Sequence, residues 1–266
     1  SYLENQHAGN KPTVLLIHGF AAYKENWLRF SQGLTDQYHI IALDLLGHGA
    51  NSYDLQSSYS IERQVQFLYQ VVQQLKLTEF HLVGNSMGGA ISSLYAAKYP
   101  EQVASLVLIS PAGVHDIPSR MDELLDEGIN PLIATTVDDF DELLDFVIEN
   151  KPFIPAAIAK VEAEKSVSRI KINQKIFKDI RNDLNKGLDK EFSNISAPVL
   201  LIWGDQDRAI NAKNIDKYAE LIPNASKLVL QDIGHLAMVE VPKITAQKAL
   251  AFMDQAAKNS TFNKPL

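Results

Sequence analysis

The amino-acid sequence predicts an α/β fold in which a mostly parallel central sheet is flanked by helices. Short apolar runs rich in β-branched residues alternate with longer amphipathic segments, which is the pattern of a parallel sheet buried between helices. The 266 residues are 46% hydrophobic and 21% charged, a globular balance that suffices for one large domain or one core with an insertion. No run approaches the ~18 uninterrupted apolar residues of a membrane-spanning helix.

Six strands and five helices are predicted in alternation. The strands are the apolar runs at residues 13–17, 38–43, 80–83, 103–109, 199–203 and 227–230. The helices are the amphipathic segments at residues 27–34, 61–75, 87–98, 211–221 and 242–258. The third helix is expected to end before Pro100, because the residue that precedes a proline is disfavoured in the helical region.

One long interval, residues 110–198, contains no convincing strand. Most connections in compact domains are only ~4–6 residues long, so this interval is predicted to form a helical cap. The expected organisation is a core of residues 1–110 and 198–266 with a cap (lid) at residues 111–197. An apolar stripe in the cap is expected to pack inside it, and residues that select the substrate are expected near 131–133. The stripe consists of Phe140, Leu143, Leu144 and Val147, spaced i, i+3, i+4 and i+7.

Charge and composition exclude several classes of function. Lys and Arg number 25 against 32 Asp and Glu, a net charge of −7, which argues against a nucleic-acid partner because phosphate backbones are bound through clustered basic residues. Cysteine is absent, so disulfides, cysteine nucleophiles and thiolate metal sites are excluded. Neither a metal-ligand cluster nor a phosphate-binding loop motif stands out, and we expect no metal and no cofactor.

Basic and apolar residues are interleaved in the cap around residues 169–178. Such a helix could make transient contact with an anionic lipid surface. A solvated basic face, with the apolar side turned to the core, is the favoured interpretation. The basic residues are Arg169, Lys171, Lys175 and Lys178.

The strongest local motif is GNSMGG at residues 84–89, between an apolar strand and a helix of small residues. It contains G-x-S-x-G in a strand–turn–helix setting, where a sharp turn exposes the serine hydroxyl at the carboxyl edge of a sheet. Glycines are needed on either side of the serine because side chains there would collide with neighbouring backbone. The alternative is a glycine-rich turn that only packs closely. The setting favours Ser86 as a nucleophile.

A serine nucleophile needs a general base and a carboxylate that orients the base. Of the seven histidines, His235 follows the last predicted strand and therefore lies at the same sheet edge as Ser86. Asp205 and Asp207 both follow the strand at 199–203, and the residues alone do not choose between them. The others are placed at strand starts, in turns, in the cap or near the chain start: His7, His18, His39, His48, His81 and His115.

An oxyanion hole requires two converging N–H donors, one from the residue after the nucleophile and one from a loop after an earlier strand. Met87 follows Ser86. Phe20, in the His18–Gly19–Phe20 turn after the strand at 13–17, supplies the second position. The backbone N–H groups of Phe20 and Met87 are therefore the predicted oxyanion donors.

With these motifs the sequence resembles the α/β-hydrolase superfamily over almost its whole length. DLLGHG at residues 44–49 is similar to the family's D-x-P-G-x-G turn, with Leu46 in place of proline. Counted against the family's eight strands, residues 2–4 resemble the second strand, so the first strand, and any leader or anchor before it, would lie upstream of Ser1. Localisation then stays open among cytoplasmic, secreted or periplasmic, and membrane-associated. The cap follows the sixth strand of that count.

Within the superfamily the chain is similar to the monoacylglycerol-lipase type and to bacterial lipases and esterases. The similarity lies in residues 18–27, 84–89, 109–113 and 130–133. It implies a serine carboxylic ester hydrolase that acts on acylglycerols or on short- to medium-chain acyl esters through an acyl-enzyme. The W-G-x-x-D pattern selects Asp207 over Asp205, and His235 matches the family's G-H near the carboxyl end. The implied triad is Ser86, Asp207 and His235.

Three other classes of protein share this fold. Carbon–carbon bond hydrolases of aromatic ring cleavage share GNSMGG, but they typically have a glycine-rich H-G-x-G-P-G loop and a Trp after the catalytic His, where this chain has residues 20–22 (FAA) and Leu236. Dehalogenases and epoxide hydrolases use an Asp nucleophile, which Ser86 excludes. A non-catalytic receptor on the same fold has little need of all three triad residues in order.

Overall fold

The computed structural model describes residues 1–5 and 11–262, and it confirms the predicted α/β fold. Seven strands of the described residues form one sheet in the order β1-β3-β2-β4-β5-β6-β7. Strand β1 pairs antiparallel with β3, and the other neighbouring strands run parallel. The strands are β1 (Tyr2–Glu4), β2 (Thr13–Ile17), β3 (His39–Leu43), β4 (Phe80–Asn85), β5 (Val103–Ile109), β6 (Val199–Gly204) and β7 (Ala225–Leu230).

Helices cover both faces of the sheet, which is why its central strands are apolar along their whole length. Alternate residues of one strand belong to different cores: Leu15 packs in the cluster on one face, and Leu16 packs in the cluster on the other. The helices are α1 (Leu28–Ser31), α2 (Ile61–Gln74), α3 (Met87–Lys98), α4 (Arg120–Asp126), α5 (Asp139–Val147), α6 (Ala156–Ser168), α7 (Ile170–Leu184), α8 (Asn214–Leu221), α9 (Ala237–Glu240) and α10 (Pro242–Phe262).

Residues 111–197, which we call the cap segment, contain α4 to α7 and a 3₁₀ helix at Leu188–Asn194, and no strand. Helix α7 buries Ile172, Ile176 and Ile180 at i, i+4 and i+8, and it contacts α2 of the core. Lys171 and Lys178 lie on its exposed side. That the cap segment and the remaining residues form two separate units stays a prediction.

Two predicted helices differ from the structure. The helix expected at residues 27–34 is a 3₁₀ turn (Lys24–Trp27) followed by the short α1, and Gly33 after it packs so closely that an added Cβ would lie 2.7 Å from that of Ala246. The helix expected from residue 211 begins at Asn214, because the Asn211 side chain accepts the Lys213 N–H in a turn (3.1 Å).

The surface of the cap segment carries exposed apolar side chains around α6. Phe153 is 85% exposed, and Ile158 and Val161 are more than half exposed. Within residues 1–5 and 11–262 no helix is long and apolar enough to cross a membrane.

Candidate active site

Ser86 lies at the turn between β4 and α3 in a strained backbone conformation, with φ of 54° and ψ of −120°. A Cβ added at Gly84 would lie 2.4 Å from the Gly88 carbonyl oxygen, and one at Gly88 would lie 2.2 Å from the Ile17 carbonyl oxygen. The turn is therefore possible only with glycine at these two positions. It holds Ser86 at the carboxyl edge of the sheet, where it lines a cavity.

The loops after β6 and β7 bring Asp207 and His235 together. The distance from His235 Nδ1 to Asp207 Oδ2 is 2.8 Å, and the Asp207 side chain is fully buried. Asp207 Oδ1 accepts the backbone N–H groups of Ala209 and Ile210, both at 2.9 Å. Trp203 Nε1 also donates to Oδ2 at 3.0 Å. These donors fix the carboxylate, so His235 donates its Nδ1–H to it and keeps Nε2 free to accept a proton.

Asp205 has a different role in the same loop. Its Oδ1 accepts the Asp232 backbone N–H at 2.7 Å, which links the two loops at the sheet edge. The neighbouring Arg208 reaches away from the site to the Asp145 carbonyl (3.2 Å) and to the Glu149 carboxylate. Of the two acids left open by the residues, only Asp207 is in hydrogen-bond contact with His235.

His235 is also held from the cap segment, a link that the sequence did not predict. Its backbone N–H donates to the Val147 carbonyl at 3.0 Å. Glu240 accepts the Gly234 N–H at 2.9 Å and the Asn150 N–H at 2.9 Å. The loop that carries His235 therefore packs against the end of α5, and cap and histidine are positioned together.

The His18–Gly19–Phe20 loop packs directly against the serine turn. A Cβ added at Gly19 would lie 3.1 Å from the Cβ of Ser86, and Phe20 lines the cavity beside it. Met87 begins α3, where the first N–H groups of a helix have no partner within the helix. The predicted oxyanion donors, Phe20 and Met87, thus flank Ser86.

His18 stabilises this loop and is not a base for Ser86. Its Nδ1 donates to the Gly19 carbonyl (2.8 Å), and its Nε2 accepts the Leu45 N–H (3.0 Å). Burial lowers the pKa of His18 to about 4, against the opposing effect of the Gly19 hydrogen bond. Burial, together with the neighbouring His18, lowers the pKa of His48 to about 3. Both rings are therefore neutral at pH 7.

A buried ion pair fixes the next stretch of the same loop. Asp44 accepts both the Lys24 ammonium (2.6 Å) and the Lys24 N–H (3.0 Å), and it also accepts the Ala50 N–H (3.0 Å). Burial alone would lower the pKa of Lys24, but its hydrogen bonds to Asp44 and Glu25 outweigh burial and raise it. The DLLGHG motif contains Asp44 and the similar stretch at residues 18–27 contains Lys24, but nothing in the sequence indicates that the two form an ion pair.

The other histidines lie elsewhere. His81 is buried and contacts Ser105 Oγ at 2.7 Å, and burial lowers its pKa to about 4. His39 contacts Glu4 at 2.6 Å, and the His115 side chain is exposed. His7 lies outside the described residues.

A cavity of about 250 Å³ adjoins Ser86 and His235. The stripe of α5 that was expected to pack inside the cap lines this cavity instead: Phe140, Leu143, Leu144 and Val147. That expectation was wrong because periodicity shows which face of a helix is apolar, but not whether that face meets protein or a cavity. Leu132, within the segment expected to select substrates, lines it as well.

A second, smaller cavity of about 110 Å³ also borders Ser86. It shares Phe20, Ser86 and Leu132 with the larger cavity and adds Met87. Two spaces therefore meet at Ser86. Within residues 1–5 and 11–262 no cluster of three or more metal-ligating side chains forms a metal site.

Residues 12–242 match the family described by the alpha/beta hydrolase fold. The chain belongs to this family. Lipase 3 of Moraxella sp. (strain TA144) is 36% identical over 260 residues, covering 97% of this chain and 82% of that protein. Monoacylglycerol lipase ABHD6 of Mus musculus is 33% identical over 269 residues, covering 97% and 80%.

A solved structure, the crystal structure of a membrane phospholipase A described as a bacterial virulence factor, superposes with a TM-score of 0.92 at 41% identity. The match covers 96% of this chain and 82% of that one. With these relatives, this α/β-hydrolase is a serine hydrolase of the carboxylesterase and lipase class.

The different contacts of Asp207 and Asp205 predict different effects of substitution. Asp207→Asn keeps the shape of the carboxylate but favours the wrong imidazole tautomer, so we expect kcat on a chromogenic ester to fall ~10⁴-fold, as in Ser-His-Asp proteases. Asp205→Asn weakens one loop hydrogen bond, worth ~1 kcal/mol, and we expect less than ~10-fold loss. The turnover of both purified variants on one ester is compared. A larger loss in Asp205→Asn contradicts the assignment of Asp207.

Proposed function

We propose that the protein hydrolyses acyl esters through Ser86, His235 and Asp207. His235 Nε2 takes the Ser86 Oγ proton as Oγ attacks the ester carbonyl carbon, and the developing oxyanion accepts the Phe20 and Met87 N–H groups. The tetrahedral intermediate collapses, and the alcohol leaves with the proton held by His235. Water, activated by the same histidine, then releases the acid from the acyl-enzyme.

One observation carries this proposal. The buried Asp207 carboxylate holds His235 Nδ1 at 2.8 Å, and His235 lines the same cavity as Ser86. A non-catalytic receptor on this fold does not require a histidine whose tautomer is set by a carboxylate that three further donors hold in place, next to a strained serine.

The substrate class that fits best is a monoacylglycerol or another ester with a short to medium acyl chain. The larger cavity offers apolar side chains for contact with an acyl chain, namely Leu143, Leu144, Val147, Ile148 and Val239. The relatives named lipase and monoacylglycerol lipase support an ester of this kind. Carbon–carbon bond hydrolysis is the alternative, but Ala21 and Ala22 line the cavity where a glycine-rich loop would be expected.

Removing the nucleophile tests the proposed reaction. Ser86→Ala deletes one hydroxyl oxygen at a partly exposed position, so we expect the same melting temperature and a loss of at least ~10⁴-fold in ester turnover. The wild type should also take covalent label from a fluorophosphonate probe, and Ser86→Ala should not.

The same samples distinguish the alternatives. Chromogenic esters of two to sixteen carbons are assayed beside a vinylogous ring-cleavage diketone. Turnover of the diketone but of no ester supports the carbon–carbon hydrolase. A wild type that takes no fluorophosphonate label and hydrolyses nothing supports the receptor.

The α5 stripe should set the preferred acyl chain. In Leu144→Trp the larger ring fills part of the cavity, so we expect the ester preference to shift to shorter chains by two or more carbons and kcat/KM for the longest esters to fall at least ~10-fold. Leu125→Trp on α4 is the matched control, because Leu125 lines neither cavity. An unchanged chain-length preference in a folded Leu144→Trp variant contradicts the proposal that the stripe lines the acyl pocket.

We also propose that the cap segment makes transient contact with lipid surfaces. Helix α6 lines the cavity with Ala159, Glu162 and Ser166, and Ile158 and Val161 are exposed on the same helix. Phe153, directly before it, is 85% exposed. An amphiphilic substrate leaving a lipid surface at this helix would be next to the cavity that takes it.

The contact is measured by co-sedimentation with phosphatidylcholine vesicles. The double variant Phe153→Ser/Val161→Ser loses apolar area that the bilayer would bury, so we expect ~10-fold weaker binding. Turnover of a monomeric short-chain ester should stay within about twofold. Leu28→Ser, which removes an exposed apolar side chain on α1 of the core, is the control. Equal losses in both variants argue against a cap-specific contact.

A further inference from the structure

The larger cavity is not apolar throughout. Its wall from α5 is apolar, but Tyr23 of the loop after β2, residues of α6 and residues at the start of α7 line the same cavity with polar groups, which we call its polar end. These residues lie far from Ser86 in the chain, and the proposed reaction uses none of them. The polar end consists of Tyr23, Glu162, Lys165, Ser166, Arg169 and Asn173.

The charges of the polar end do not cancel. Lys165 Nζ lies 3.8 Å from the Glu162 carboxylate and 3.4 Å from the centroid of the Tyr23 ring. Tyr23 also donates its hydroxyl to Glu162. The single carboxylate of the polar end is thus engaged by one lysine and one tyrosine, and the positive charge of Arg169 is left over.

Arg169 is the cation that faces the cavity without an acidic partner. Its guanidinium donates to the Gly47 carbonyl and lies 5.3 Å from the Tyr53 ring centroid. Among the described residues no carboxylate oxygen lies within 4.0 Å of it. A guanidinium has five N–H donors in a planar fork that matches phosphate and carboxylate oxygens, so donors remain for a ligand.

Asn173, one helical turn beyond Arg169, has a buried acceptor that lacks a hydrogen bond. The residue is only 3% exposed, it lines the cavity, and its buried Oδ1 has no hydrogen-bond partner in the structure. A buried acceptor without a donor is costly. A hydroxyl of a ligand in the cavity would supply that donor.

We propose that the polar end binds the phosphate-bearing alcohol part of a lipid ester, so that, within the proposed class of short- to medium-chain acyl esters, a monoacylglycerol phosphate binds more tightly than the corresponding neutral monoacylglycerol. The phosphate accepts from Arg169 and Lys165, and a free glycerol hydroxyl donates to Asn173 Oδ1. This assignment rests on the proposed esterase function. Hydrolysis adds one water across the acyl C–O bond and releases a carboxylic acid and a glycerol phosphate.

Binding is measured apart from turnover with ligands that cannot be hydrolysed. 1-O-hexylglycerol 3-phosphate, 1-O-hexylglycerol and glycerol 3-phosphate are titrated calorimetrically into the whole protein. We expect the wild type to bind the alkyl phosphate at least ~10-fold more tightly than the neutral ether, because charge-assisted hydrogen bonds to phosphate are the stronger kind. Glycerol 3-phosphate, which lacks the alkyl chain, should bind at least ~10-fold more weakly than the alkyl phosphate.

Three variants locate the effect. Arg169→Gln should lower the affinity for the alkyl phosphate at least ~10-fold and change the affinity for the neutral ether by no more than about twofold. Lys171→Gln removes the same charge from the exposed side of α7 and should change neither ligand. Ser166→Asp keeps Arg169 and adds a negative charge at the polar end, so it should weaken binding of the alkyl phosphate and leave binding of the neutral ether unchanged. This variant provides the test if Arg169→Gln does not fold.

Several results overturn the proposal. The first is that the wild type binds the alkyl phosphate and the neutral ether equally tightly. The second is that Arg169→Gln and Lys171→Gln lose the same affinity for the alkyl phosphate. The third is that glycerol 3-phosphate binds as tightly as the alkyl phosphate, which would indicate a site for a free anion. Turnover of hexanoylglycerol and its 3-phosphate is measured in parallel. Selective binding of the alkyl phosphate without turnover of either ester contradicts the proposed esterase function but supports the phosphate site. Turnover of both esters without selective binding supports the esterase function but contradicts the phosphate site.

Discussion

The close packing of the serine turn against strand β2 is the constraint on which the rest of the site depends. Ser86 has a positive φ, and Gly88 lies so near the Ile17 carbonyl that a Cβ would be 2.2 Å from it. Because β2 leads directly into Gly19 and Phe20, the crowding that strains the serine also fixes the loop expected to donate to the oxyanion. The Asp44–Lys24 pair then holds the far end of that loop. Ser86 and the loop after β2 are thus positioned by the close contact between the start of α3 and the end of β2. The local strain is retained because the surrounding buried structure over-determines the backbone.

His235 depends on two supports of different character. Asp207, on the core side, fixes the ring through a buried hydrogen bond of 2.8 Å. The cap segment fixes the backbone, since the His235 N–H donates to the Val147 carbonyl. Glu240 adds a second link, because it accepts the N–H of Gly234 beside the histidine and the N–H of Asn150 in the cap segment. Any movement of α5 away from the core would therefore move the loop of the histidine as well as open the cavity that α5 lines. The position of α5 over the cavity and the position of the His235 loop are therefore coupled by shared contacts. Such coupling would let a cap exclude water and complete a site in one step.

The sequence was sufficient wherever the determining interactions are local. Continuous apolar runs identify buried parallel strands, and G-x-S-x-G between a strand and a helix identifies Ser86, because both signals arise within ten residues. Asp207 was selected over Asp205 by family resemblance alone; the physical difference is the direction of each side chain in one turn, which spacing does not encode. The α5 stripe was assigned to the wrong environment, and the sequence carries no signal for the roles of Lys24, Glu240 and Asn173. These roles depend on contacts that tertiary packing creates, such as the one between Glu240 and Asn150, which are 90 residues apart.

The net charge of the chain and the charge of its cavity have opposite signs, and the two act over different distances. The excess of seven negative charges sets the field felt by an approaching molecule, but salt screens that field beyond ~8 Å under physiological conditions. Arg169 is partly buried and lines a cavity with an apolar wall, where a charge is screened less than at the open surface. Composition therefore argues against a polyanionic partner that must cover much of the surface. It carries no information about one phosphate bound within the cavity, because a single unpaired guanidinium decides that contact whatever the sum of the other charges.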